Sequence, residues 1–495
     1  MVFNSVEFLI FFPVVLLLYF ILPRKARWVM LLAASYYFYL SWNVELIYLI
    51  LFTTVISYFS AIIIEKYRSK KHLCRLCFTL TLLASLGVLF FYKYFDFLAG
   101  TVFDIAAHFG AEWKRFSLDL ILPVGISFYT FQTLSYVIDV YRGTVPAERH
   151  FGYYALYVTF FPQLVAGPIE RPENLIPQLY AEHKFNKDDF SAGMRMILLG
   201  FFKKTVVADL CAGYVVAVYG SPASQNGFSV LVATVLFAFQ IYGDFAGYTD
   251  IAIGCSRIMG IRLMQNFARP YSAESIKGFW GRWHISLSSW FKDYIYIPLG
   301  GNRVSFFRGC MNIMIVFLVS GLWHGAAWTF VLWGAIHGLY QVIGKLTIKR
   351  RTRFWRILGL EDSAFLHAIR KFNTFVLVDF AWIFFRADSF GDLKILLSKL
   401  FTDWSFSAEY FKAGISNLGI DAVGAIIAVI SIIIMDRADV TKLEPKRTLI
   451  IDGDGSTREI GNSSAAYIYV VWAIVFAWLM LLVGNGASSF IYFQF

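Results

Sequence analysis

The sequence predicts an all-α polytopic membrane protein, and three observations carry that reading. Of 495 residues, 58% are hydrophobic and 19% aromatic, while 16% are charged, a balance more apolar than one soluble core consumes. Mean hydropathy is +0.61, and stretches of the roughly 20 apolar residues that a bilayer crossing takes recur from end to end. Basic clusters sit beside those stretches at PRKAR (23–27), EKYRSKKHLCR (65–75), KRRTRFWR (349–356) and KLEPKR (442–447), as the positive-inside rule expects.

Taken in order, the first expected helix is 5–22, which contains VEFLIFFPVVLLLYFIL. It lacks the basic leader and small-residue cleavage site of a secretory signal, so it is expected to remain as a membrane helix. Helices at 28–42 and 45–64 follow, joined by the polar turn SWN. With PRKAR in the cytoplasm, the N-terminus and SWN face out and EKYRSKK returns to the cytoplasm, in agreement with its charge. Further helices are expected at 77–98, 120–139 and 151–166. The stretch FFPQLVAGPIERP (160–172) holds three prolines, which remove backbone donors and push preceding residues out of the helical region. Broken backbone at membrane depth survives only where protein buries it or a cavity meets it, so a crevice is predicted there.

The remaining expected helices are 191–219, 227–247, 311–323, 326–346, 368–386, 420–435 and 465–484, some of them re-entrant. Residues 263–308 are too polar to span yet rich in aromatic residues, and read as interfacial or funnel-lining helices. Residues 437–462, with DGDG inside, read as an exposed loop. No repeat of fixed period is visible, and 1–495 reads as a single integral membrane domain.

Cys74, Cys77, Cys211, Cys255 and Cys310 are too few and scattered for a disulfide framework, and CRLC at 74–77 lacks the context of a redox or zinc site. The net charge of +11 is spread over short loops, so the expected partner is membrane lipid and not nucleic acid.

Eight histidines divide by surroundings. His72, His108, His150, His183 and His367 lie among polar loop residues, whereas His284, His324 and His337 lie in aromatic sequence. An ionisable group inside a membrane is costly and faces the interior or a wet cavity. Each of these three is therefore a functional candidate or a histidine satisfied by a neighbouring helix. His284 and His324 are forty positions apart, with no carboxylate or thiol at helical spacing, so no metal site is expected. Ser286 and Ser288 follow His284 without the G-x-S-x-G elbow of a serine nucleophile and read as helix-start residues. A neutral imidazole with an apolar wall suits general-base work on a hydroxyl.

Asp244 and Asp250 lie in the apolar run FQIYGDFAGYTDIAIG (239–254) beside Gln240, Tyr242 and Tyr248. They need partners, and a structural ion network with Arg282, Arg257 or Lys292 is the favoured reading over a role in shaping the cavity. Arg282, Lys292, Arg303 and Arg308 suit an anionic donor at a cytoplasmic mouth, or lipid headgroups.

FWGRWHISLSSWFKDYIYIPLGGNR (279–303) followed by SGLWHGAAWTFVLWGAIHG, with FFPQLVAGPI, GDFAGYTDIAIG and the opening MVFNSVEFLIFFPVVLLLYF, resembles the membrane-bound O-acyltransferase superfamily in its bacterial alginate O-acetyltransferase-like branch. Gly243 stands where that pattern leads one to expect a bulkier aromatic residue. The resemblance implies a bundle of about 11–13 membrane and re-entrant helices around a central tunnel, in the bacterial cytoplasmic membrane. It implies an acyltransferase with no bound cofactor, taking an acyl group, usually acetyl, from a cytoplasmic acyl-CoA or acyl-carrier thioester. The acceptor would be an extracytoplasmic polysaccharide of the cell wall or a secreted polymer such as alginate, reached with an SGNH/esterase-like partner protein. His324 would be the catalytic residue and His284 the second, positioning histidine. Trp283, Trp323, Asp244, Tyr248 and Ser286 would line the substrate tunnel, and His337 would be a packing residue. Competing readings are D-alanyl transfer from a carrier protein to teichoic acid, and a transporter or flippase, which commonly shows paired half-repeats that are not visible here.

Overall fold

A computed structural model describes residues 1–42, 44–111, 113–415, 421–438, 447–451 and 457–461. Helices α1 (Val6–Ile21), α2 (Arg24–Leu40) and α3 (Ile47–Lys66) follow the expected first three spans. Ser5 starts α1 as an N-cap whose side chain accepts from the Phe8 N–H. Lys71–His108 is one apolar rod of 38 residues, made of α4 (Lys71–Leu89), a π-helical turn at Phe90–Tyr94 and α5 (Phe95–His108). Helix α6 spans Ile126–Arg142, so the expected start at 120 is instead loop as far as Gly125.

The proline-rich stretch breaks as expected, into α7 (Phe151–Thr159), α8 (Phe161–Leu164) and α9 (Pro172–Tyr180). Then come α10 (Lys187–Phe201), a π-helical turn at Phe202–Ala208, α11 (Asp209–Tyr219) and the long α12 (Gly227–Ile258). Residues 263–308 hold the short α13 (Ile276–Trp280) and α14 (Ile285–Phe291) and a π-helical turn at Lys292–Tyr296. Helices α15 (Phe306–His324), α16 (Trp328–Ile357), α17 (Ala364–Arg386), α18 (Phe390–Thr402), α19 (Ala408–Ile415) and α20 (Asp421–Ala438) complete the described helical part. The connection at 437–462, expected as a bare loop, carries β1 (Arg447–Ile451) paired antiparallel with β2 (Thr457–Gly461), Arg447 opposite Gly461. The helix expected at 465–484 lies outside the described residues.

Helix α12 is the central post: 78% of its most apolar stretch is buried, against 22% for the Lys71–His108 rod. That rod and α1 and α17 turn side chains such as Leu83, Leu17 and Phe372 outward, which costs nothing when the solvent is hydrocarbon. Gly243 explains its own departure from the family pattern. A Cβ there would lie 2.7 Å from the backbone oxygen of Lys203, so α12 approaches the Phe202–Ala208 turn too closely for any side chain. The position belongs to a helix–helix contact and not to a cavity wall.

The basic ends meet on one side of the bundle. Arg24 and Arg27 donate to the carbonyls of Tyr180 and His183, each at 2.6 Å, and Arg68 donates to Val140 O at 2.9 Å. Lys93 lies 22 residues beyond Lys71 on the same rod, about 33 Å further along at 1.5 Å per residue. It is therefore at the opposite end. Helix α15 runs the same way, since Lys345 of the basic end of α16 lies over the Phe306 ring at 5.2 Å and His324 closes the far end.

Candidate active site: a histidine pair behind a recess

Two helices carry the second Trp-His pair. Helix α15 ends at His324, and after a break at Gly325 helix α16 returns against it. The hairpin closes to backbone contact, because a Cβ on Gly321 would sit 2.3 Å from Phe330 O and one on Gly334 2.3 Å from Phe317 O. This proximity places Trp333 and His324 edge to face at 5.0 Å. Trp323 meets the same imidazole edge-on at 5.0 Å, and Phe385 of α17 at 5.5 Å.

The first Trp-His pair arrives by a different device. His284 is the N-cap of α14 in the left-handed region, φ 45° and ψ 54°, a conformation that costs a non-glycine residue about 1–2 kcal/mol. Asn266 holds it there. Its backbone oxygen accepts from the Ile285 N–H at 2.9 Å. Its side-chain oxygen accepts from the Ser286 N–H at 3.2 Å and Ser286 Oγ at 2.9 Å. Since a backbone N–H can only donate, that atom is the amide oxygen, and Nδ1 of His284, 3.1 Å away, must carry its proton. Nε2 is left as the accepting nitrogen.

The two imidazoles lie 6.3 Å apart between centroids at 65°, with Phe245 edge-on to His284 at 4.7 Å and Trp323 near both rings, 5.9 Å from His284. Separate segments thus bring the two rings close together, but only His324 lines a recess. They are not equivalent. A recess of about 50 Å³ is lined by His324, Trp323, Lys93, Val165 and residues 122–128. His284 is fully buried one ring behind it, and among the described lining residues none comes from 263–308. Val165 ties the proline-broken stretch to the recess, where a crevice was predicted.

The other candidates separate. Trp283 is buried in an aromatic core, stacked on Phe279 at 5.5 Å and tilted against Trp382 at 5.1 Å, and it does not reach the recess. Tyr248 stacks on Phe3 at 4.3 Å. Asp244 pairs with Lys204 at 2.7 Å, and Asp250 with Lys203 at 2.7 Å, so the ion network exists with partners other than Arg282, Arg257 or Lys292. Arg282 is half-buried and donates to Ser272 Oγ at 2.8 Å, while Lys292 and Arg303 are exposed. His337 packs in the core, where Nδ1 accepts from Trp280 Nε1 at 3.2 Å.

Lys93 and Asn266 were not singled out from sequence. Lys93 sits in FYKYF (91–95), an apolar aromatic run, and the rule that flags buried histidines flags a lysine there equally. Asn266 carries no such signal. Outside the spanning helices, Glu170 accepts from the Met264 N–H and from Asn174 Nδ2 at 2.7 Å, and burial pushes its carboxyl up to about 7.

Fold and site together define a multi-pass helical membrane protein with one histidine lining a recess and a second buried behind it. Residues 148–360 match the membrane-bound O-acyltransferase family model. Probable alginate O-acetylases of Azotobacter vinelandii and Pseudomonas putida are 37% and 34% identical, over 85% of this chain and 82% of theirs, and over 100% of both. A peptidoglycan O-acetyltransferase of Helicobacter pylori is 35% identical over 80% of this chain and 79% of its own. The chain belongs to the membrane-bound O-acyltransferase family and is an acyltransferase.

Proposed function

We propose that this protein, in the bacterial cytoplasmic membrane, moves an acetyl group from a cytoplasmic thioester, acyl-CoA or an acyl-carrier, to a hydroxyl of an extracytoplasmic polysaccharide. The final transfer would run directly or through an esterase-like partner, with His324 as general base. One observation carries the reading: His324 lines a recess at the bundle end opposite the basic clusters. With the basic end in the cytoplasm, that recess faces the acceptor. The exposed Lys292 and Arg303 are then candidates for the donor's phosphates at the other end.

A neutral imidazole at 324 takes the proton of the attacking hydroxyl as the new ester bond forms, and returns it to the departing thiolate. Trp323, Trp333 and Phe385 surround the ring and exclude the water that would hydrolyse the thioester. His284 orients the pair through its fixed Nδ1 proton.

The test is purified protein with labelled acetyl-CoA and a hydroxylated oligosaccharide, wild type against His324→Ala. Thiol release is expected to fall by about 10²–10⁴-fold with unchanged elution in detergent; full turnover by the variant would remove the role. Turnover of a D-alanyl carrier thioester and not of acetyl-CoA would establish D-alanyl transfer instead.

A further inference from the structure

We propose that the Lys93 ammonium is a second catalytic group of the recess, binding the acyl carbonyl oxygen and stabilising the negative charge that develops there. The inference rests on the acyl-transfer reading above.

The end of α15 makes the case. A helix leaves its last four carbonyls without intrahelical partners, and here each has one. Gly321 O accepts from the Gly325 N–H at 3.3 Å, and Leu322 O from Tyr94 OH at 2.9 Å. Trp323 O and His324 O accept from Lys93 Nζ at 2.7 and 3.2 Å. Tyr94 and Lys93 are adjacent in the π-helical turn at Phe90–Tyr94, and single π turns recur at functional sites. Capping alone does not call for a charge, because the neutral Tyr94 hydroxyl performs the same service one residue earlier. A cation half-buried among apolar side chains is costly to desolvate, and an ammonium has three donors. Two are spent on the carbonyls of residues 323 and 324. Lys93 also lines the recess, and its third N–H is the donor left for an occupant. The two carbonyl bonds fix the nitrogen before substrate arrives, which is the preorganisation that makes electrostatic stabilisation effective.

In the step, the acceptor oxygen forms a bond to the acyl carbon while its proton passes to His324, and the carbonyl oxygen takes up negative charge against Lys93. Collapse breaks the C–S bond, and the thiolate leaves with the proton returned from His324. Lys93 keeps its proton throughout.

The experiment measures kcat and KM for acetyl-CoA in full-length purified protein carrying Lys93→Gln, Lys93→Arg or Tyr94→Phe, with thermal unfolding in parallel. Glutamine offers two N–H donors on a stem one bond shorter and lacks the charge and the third donor. Lys93→Gln is expected to lower kcat about 100-fold or more with little change in KM, and Lys93→Arg to recover at least about tenfold of that. Tyr94→Phe, which strips a cap and leaves the charge, is expected to lose less than about fivefold. A Lys93→Gln protein with near wild-type kcat overturns the proposal. So does Tyr94→Phe losing as much as Lys93→Gln, because fixing the helix end would then be the whole effect. If Lys93→Gln fails to hold its elution profile, Lys93→Met is judged by the same thresholds. His324→Ala is run alongside: turnover retained there, with loss in Lys93→Gln, ends the general-base reading and leaves this one standing.

Discussion

Asn266 and His284 share one hydrogen bond of 3.1 Å, between the amide oxygen and Nδ1, and the same oxygen takes the Ser286 N–H. The bond fixes the His284 tautomer, and the backbone contacts of Asn266 hold the left-handed turn that aims the ring. Asn266→Ala removes the first and keeps Asn266 O, the acceptor for Ile285. We expect kcat to fall about tenfold to 100-fold, the range for losing an orienting partner of a functional histidine. The loss of a buried polar network should also cost about 1–3 kcal/mol. Steady-state kinetics and thermal unfolding in detergent check both.

His284→Ala should reduce turnover less than His324→Ala does. His284 is buried behind the recess and His324 lines it. Because residues acting as a unit lose activity non-additively, the double variant should be no worse than His324→Ala within about threefold. Losses that multiply would show the rings acting independently.

Gly321→Val should separate α15 from α16. Its first carbon would lie 2.3 Å from Phe330 O and 3.4 Å from the Gly334 Cα, and backbone cannot move aside as a side chain can. Overpacking of this kind costs about 1–3 kcal/mol, so a lower unfolding midpoint is expected along with lost turnover. A variant with wild-type midpoint and activity would contradict the tight hairpin.

Lys204→Met should remove the ammonium that Asp244, 3% exposed, meets at 2.7 Å and Asp209 at 3.0 Å. Breaking one partner of a buried pair costs about 3–5 kcal/mol. Adding Asp244→Leu should restore part of the lost stability, since it removes the more deeply buried of the two carboxylates that Lys204 holds, Asp209 being 22% exposed. Failure to recover would point to a role for Asp244 beyond the pair.

Glu170 titrates high, at about 7 in the fold against an ordinary carboxyl near 4.5. A raised carboxyl binds its proton more tightly folded than unfolded. Its stabilising contribution is therefore whole below about pH 4.5 and is lost as pH rises through about 7. The unfolding midpoint of wild type should fall relative to Glu170→Gln between about pH 5 and 8. Parallel curves for the two proteins would place the titration elsewhere.

Much of this was legible because each signal was local. Length and hydropathy gave α1 to within one residue and α2 and α3 to within four, and the prolines at 162, 168 and 172 located the break. The histidine pair stood out because imidazoles among tryptophans are expensive to bury without use. The missing pieces depend on long-range packing. Lys93 finds its carbonyls 230 residues away, and nothing in local spacing foretells that. Asp244 was matched to Arg282, Arg257 or Lys292, which follow it in the sequence, whereas its lysine, Lys204, lies on the π-helical turn that Gly243 lets approach. The short α18 and α19 escaped notice because their apolar runs are brief and flanked by charge, and the 263–308 segment supports the pair from behind instead of walling the recess.

Since three of the last four carbonyls of α15 are held by Lys93 and Tyr94 of the Lys71–His108 rod, drawing that rod aside would leave those oxygens without their partners. The two elements are obliged to travel as one body. Any enlargement of the recess must come from the facing wall, where residues 122–125 are loop and Val165 follows a helix end. The entrance thus has one stiff jamb and one yielding one, and His324 is mounted on the stiff side.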